Sequence, residues 1–91
     1  MLRLTVISQT PEEILLKVEG WVSEEEVPLL EQIFTHSLRE AQGLALELNG
    51  VRFINRTGIE FLQGWSGKRL VLRGGSPFIR LLLKTHGLAP T

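Results

Sequence analysis

The sequence predicts an α/β fold in the order β-β-α-β-α-β-α, with helices packed on a small mixed sheet of about four strands. Two observations carry this. Apolar residues alternate with a period of two in three stretches, run almost unbroken in a fourth, and recur every three or four residues between the second and the third. The first two strand-like stretches adjoin, so they form an antiparallel hairpin. Each later strand is separated from the next by a helix, which predicts parallel pairing with right-handed crossovers.

The elements follow in order. In "LRLTVIS" Leu2, Leu4 and Val6 share one face, and in "EILLKVEG" Ile14, Leu16 and Val18 do. The turn formers "QTPEE" join the two strands, 2–7 and 13–19. After Gly20 the period lengthens: Val27, Leu30, Ile33, Phe34, Leu38 and Ala41 form a helical stripe. Ser23 and Glu26 have capping-box spacing, which starts this helix at Glu24, whereas Pro28 favours a start nearer itself. Gly43 is the expected stop. "LALEL" alternates again, with Leu44, Leu46 and Leu48 inward. "RLVLRG" is a near-continuous apolar run, as expected of a strand covered on both sides. "SPFIRLLLKTHG" is a helix with Ser76 as N-cap, Pro77 at the first helical position and Gly87 at the end.

The composition narrows the function classes. Ninety-one residues, 43% hydrophobic and 22% charged, make one globular domain spanning 1–91. Ten basic and ten acidic residues cancel, so there is no electrostatic footprint for nucleic acid or an anionic membrane. The same neutrality leaves a homodimer open. The absence of cysteine excludes disulfides and thiolate chemistry. No signal peptide or membrane-length apolar run is present, so the expected location is cytoplasmic. His36 and His86 lack the spacing of metal ligands, and no nucleophile elbow, Walker A loop or dinucleotide turn occurs. The expectation is a protein without metal, cofactor or catalysis.

A few residues stand out. "RGGSP" (residues 73–77) has the local grammar of an anion site, but a tight turn followed by an N-cap accounts for it. Leu81, Leu82 and Leu83 cannot all face one core, because successive helical residues point about 100° apart. Trp65, bracketed by small residues in "GWSG", is either a lid on the core or an anchor for a partner. Trp21 is expected in the core. In "VRFINRTGIEFL" (residues 51–62) an apolar strand gives way to Asn55, Arg56 and Thr57, then Gly58 and a helix. Thr57 and Glu60 repeat the capping-box spacing, making Thr57 the expected N-cap. Only about two turns fit between Gly58 and Lys68. Asn55 and Arg56 are not explained by capping alone.

Over nearly its whole length the chain resembles the STAS domains, the sulphate transporter and anti-sigma factor antagonist family. The resemblance rests on the opening hairpin, "LALELNGVRFINRTGIEFL" and "KRLVLRGGSPFIRLLLKTHGL". Members of that family carry an apolar strand, a loop with Asp-Ser-Ser-Gly or a relative, and a helix. In the bacterial anti-sigma factor antagonists the hydroxyl residue before that glycine is phosphorylated by a partner kinase that is itself the anti-sigma factor. By position Thr57 matches the phosphoacceptor and Gly58 the glycine. Asn55 stands where an acidic residue is usual, and Arg56 where a small hydroxyl residue is common.

The resemblance implies a non-catalytic regulator of transcription that works by partner switching. Its expected partner is an anti-sigma factor and serine kinase of the GHKL type, bound by Asn55, Arg56, Thr57, Gly58 and Trp65, with phosphorylation at Thr57. The other expectation is a constitutive STAS interaction subunit, such as those of lipid-transporting ABC systems, which bind the ABC ATPase without phosphorylation.

Overall fold

A computed structural model describes residues 1–91 of the chain. Its elements are β1 (Leu2–Gln9), β2 (Glu13–Val22), α1 (Val27–Glu40), β3 (Gly43–Ile54), α2 (Arg56–Trp65), β4 (Leu70–Arg73) and α3 (Pro77–Thr85). The sheet runs β1-β2-β3-β4. β1 and β2 pair antiparallel, whereas β2 with β3 and β3 with β4 pair parallel. The mixed sheet and the element order are those the alternating periods predict.

All three helices serve one face of this sheet. Ile14, Leu16 and Val18 from β2, Leu44, Leu46 and Leu48 from β3, and Leu72 from β4 form a single core cluster. Leu30 and Phe34 of α1, Ile59 and Leu62 of α2, and Ile79 and Leu83 of α3 complete it. Two crossovers of the same hand, advancing in one direction along the sheet, put their helices on one side. The other face carries alternate residues such as Leu15, Lys17 and Glu47, all half-buried. There an ion pair between Arg73 of β4 and Glu13 of β2, 2.9 Å long, reaches across β3.

This one-sided layering corrects the reading of "RLVLRG". β4 is an edge strand, and Val71 is exposed on the open face while Leu72 is buried. Its apolar run reflects one core residue flanked by partly covered neighbours, not helices on both sides.

The helix boundaries also differ from expectation in instructive ways. The Glu26 carboxylate accepts from both the backbone N–H (3.2 Å) and the hydroxyl of Ser23. These bonds close a turn, and α1 begins only at Val27, so Pro28 falls in the first turn, where a missing N–H costs nothing. α1 stops at Glu40, and Gly43 already belongs to β3. The end of α1 and the turn after it find a partner from afar: the Arg69 guanidinium donates to Leu38 O (3.2 Å) in the helix and to Gln42 O (3.1 Å) beyond it. Arg69 is the one non-glycine residue at positive φ, 67°, a strain of about 1–2 kcal/mol that these bonds help offset.

α3 has the expected punctuation. Ser76 Oγ accepts from Ile79 N–H at 3.2 Å, and Pro77 follows. At the other end Gly87 N–H donates to Lys84 O and Leu88 N–H to Leu83 O, with Gly87 at φ 78° and Leu88 buried. This is a Schellman motif with its apolar contact. Within the leucine run Leu83 is fully buried, Leu82 is half-buried and Leu81 is exposed, as the 100° step requires.

Candidate functional site

β2 and β3 run parallel to a common rim, where Val22 and Ile54 stand in register and are both buried. Asn55 is the next residue. Its backbone N–H donates to Val22 O at 2.9 Å, so the chain leaves the sheet while still tied to β2. Its backbone is extended (φ −80°, ψ 178°), and its side-chain Oδ1 accepts from Gly58 N–H at 2.9 Å. Asn55 is therefore the N-cap of α2.

This corrects the expected cap. Thr57 lies one residue inside the helix and is exposed, so its hydroxyl is free of capping duty. The T-x-x-E spacing misled because Asn55 offers an acceptor two residues earlier, and asparagine is at least as good a cap as threonine. The earlier start also lengthens α2 to ten residues, nearly three turns rather than two.

Asn55 has a second bond that a carboxylate could not make. Its Nδ2 donates to Glu24 Oε2, in the turn that precedes α1. An aspartate here would still cap α2 but would set two carboxylates against each other. The Glu24 carboxyl is held below its ordinary value, first by a backbone hydrogen bond at Glu24 and then by the Asn55 side chain, against a smaller desolvation. A depressed folded-state pKa favours the fold above the unfolded value, and this contribution is lost as pH falls through the folded value.

Gly58 makes the rim close. A Cβ on Gly58 would stand 2.9 Å from Val22 O and 2.9 Å from Ile54 Cγ2. The first of these is backbone and cannot move aside cheaply. Arg56, with a side chain 91% exposed, forms a loose pair with Glu60 at 3.8 Å. Such an exposed i,i+4 contact is worth little, so the guanidinium remains free to meet another group. With Ile59 and Leu82 it borders a groove between α2 and α3.

The structure thus brings Asn55, Arg56, Thr57 and Gly58 together in one turn. Trp65 sits at the far end of α2, about 13 Å from Arg56 along the axis. It is half-buried and covers the core, with ring centroids 5.5 Å from Phe34 and 6.4 Å from Phe61.

A different tryptophan lies near the rim. Trp21 was expected in the core but is 54% exposed. It stands in register with Phe53 at the rim, with centroids 5.4 Å apart, and Phe53 stacks on Phe78 of α3 at 6.4 Å. Phe78 is also 54% exposed. The strand period contained this signal: Val18 and Val22 face the core, so odd-numbered Trp21 faces away. RGGSP forms a turn and cap rather than an open anion site: Gly74 N–H donates to Thr91 O and Gly75 N–H to Asn49 Oδ1.

No protein-family model and no curated protein matches the chain. Solved structures do match in fold. The anti-sigma factor antagonist SpoIIAA in its unphosphorylated form superposes with a TM-score of 0.74 at 18% identity, over 97% of this chain and 82% of that one. An anti-sigma factor antagonist from Mycobacterium paratuberculosis gives 0.66 at 24% identity, over 100% and 87%. The Bacillus cell fate determinant SpoIIAA in the phosphorylated form gives 0.69 at 16% identity, over 97% and 85%. This chain has the fold of the anti-sigma factor antagonists. No helix is long and apolar enough to cross a membrane.

Two stability predictions follow from the rim. Asn55→Ala should cost about 1 kcal/mol, while Thr57→Ala changes stability by less than about 0.5 kcal/mol, as measured by urea denaturation. Equal losses for the two variants would refute the assignment of the cap. Gly58→Ala should destabilise by about 1–2 kcal/mol, even though alanine is the better helix former by about 1 kcal/mol, because overpacking against Val22 O dominates. A stabilised Gly58→Ala variant would show that the rim is looser than described.

Proposed function

We propose that this protein is a non-catalytic regulator of the anti-sigma factor antagonist type. It binds a protein partner through the rim around Asn55, Arg56, Thr57 and Gly58, and phosphorylation of Thr57 controls that binding. The partner in this reading is an anti-sigma factor that is also a GHKL-type serine kinase, and the setting is the bacterial cytoplasm.

The observation that carries the reading is the exposed Thr57 in the first turn of α2, relieved of capping by Asn55. Modifying a hydroxyl that served as the cap would exchange the capping bond for one to a phosphate oxygen and so alter the helix end. Here the cap is Asn55 and stays in place. A phosphate would add about −1.5 to −2 charges at a helix N-terminus, where the dipole favours an anion. Arg56 stands beside it, almost wholly exposed, as a partner for phosphate or for an acidic group on another protein. The fold therefore tolerates both states, while a partner seated on the rim meets a large change of charge. SpoIIAA, similar in fold, has been solved in both unphosphorylated and phosphorylated forms, which supports the same two states here.

The test is titration of a GHKL-type anti-sigma kinase from the same cell with wild type, Thr57→Ala and Thr57→Asp, with intact mass recorded after incubation with ATP. Wild type should gain one phosphoryl group and Thr57→Ala none. Thr57→Ala should bind as wild type does, and Thr57→Asp should bind several-fold more weakly, since aspartate carries less charge than phosphate. Unchanged affinity for Thr57→Asp, with no mass gain that depends on Thr57, would remove the switch. Capture of an ABC ATPase in place of the kinase would assign the chain to the constitutive kind of subunit.

A further inference from the structure

The sheet has two edges, and the longer, β1, is free along its whole length. Outside β4, Thr91 N–H donates to Leu72 O and Gly74 N–H donates to Thr91 O, both at 2.9 Å, so the chain covers the C-terminal end of that edge itself. β1 forms the other edge and has no strand beyond it. Its pairing with β2 fixes which backbone groups face outward. Trp21 N–H donates to Met1 O, so Met1, Arg3 and Thr5 direct their backbone groups toward β2. By the alternation of an antiparallel ladder, Leu2, Leu4 and Val6 direct theirs away from the sheet.

The same three residues point their side chains to the helix-covered face. Leu2 and Leu4 are half-buried against the core. Val6 is 55% exposed and opens a groove with Ile14 of β2 and Ile33 of α1. The outward backbone groups thus run beside an apolar strip. The regular ladder is interrupted at Ile7, where the register with β2 shifts.

We propose that β1 is a homodimer interface, pairing antiparallel with β1 of a second copy about a two-fold axis at Leu4. The occupant is identified by self-complementarity. With Leu4 opposite the partner's Leu4, Leu2 faces the partner's Val6 and Val6 the partner's Leu2. Every outward-directed N–H and C=O between Leu2 and Val6 then meets a C=O or N–H of the partner strand, and each apolar side chain faces an apolar one. Arg3, the only charged residue of β1, faces the partner's Thr5 and not a second arginine. Proline and lysine, which commonly blunt edge strands, are absent from β1. A formal net charge of zero adds no repulsion between copies. The result is one continuous sheet through both molecules, with the helices of both on the same side.

Sedimentation velocity of the full chain, from micromolar to millimolar concentration, tests this. Wild type should dimerise. Val6→Pro removes an outward N–H at a position where an edge strand tolerates proline, and Val6→Lys places a charge in the apolar strip. Each should weaken dimerisation at least about tenfold with unchanged circular dichroism; the exposed Val6→Lys carries the test if the proline variant does not fold. The natural chain has no cysteine, so single thiols report the register. Leu4→Cys should cross-link on oxidation, because opposed hydrogen-bonded residues have Cα atoms about 5.5 Å apart, within disulfide reach. Thr5→Cys, offset by two residues from its symmetry mate, should not. A wild type that stays monomeric would overturn the proposal, as would a dimer that survives Val6→Lys without a Leu4→Cys cross-link. Thr57→Asp should dimerise as wild type does, so this result stands apart from that of the phosphorylation test.

Discussion

Asn55 is the residue on which the rim depends. Its backbone holds the end of β3 to Val22, its carbonyl side holds the first turn of α2, and its amide side holds the turn before α1 through Glu24. The end of β2, the turn before α1 and the first turn of α2 all meet at this one residue. Only a residue that both accepts and donates can do this, which explains an amide at this position. Gly58 is the second half of the constraint, because the cap can close only if the helix approaches Val22 without a Cβ between them.

With the cap assigned to Asn55, Thr57 and Arg56 are set on the outside of a rigid turn and hold nothing in place. Residues with structural duties are poor switches, since altering them alters the fold. Here the support falls to Asn55 and the proposed signalling to Thr57, two residues further on. The phosphate proposal draws its physical plausibility from that separation as much as from the helix dipole.

The one-sided helix layer shapes the rest of the surface. With no helix behind the sheet, alternate residues of every strand meet solvent. The chain covers them by ion pairing, as with Arg73 and Glu13, or leaves them as apolar surface, as with Trp21 and Val71. Much of this was legible in the sequence. The periods of two and 3.6 gave the element order, and Ser76, Pro77 and Gly87 gave the limits of α3. Less was legible where two local signals competed. Thr57 read as the cap by its spacing to Glu60, and only the path of β3 shows that Asn55 takes that role. Trp21 was expected in the core, but its strand parity was the better guide. Arg69 closing α1 from 27 residues beyond Gln42 depends on tertiary placement and leaves no local trace.

The central claim is that Asn55, not Thr57, holds the first turn of α2. Amide hydrogen exchange at Gly58 tests it most directly, because that N–H is the one the cap engages. It should be protected in wild type and equally so in Thr57→Ala and in the protein phosphorylated at Thr57, and should lose protection selectively in Asn55→Ala. Loss of Gly58 protection in Thr57→Ala, with Asn55→Ala unaffected, would contradict the account.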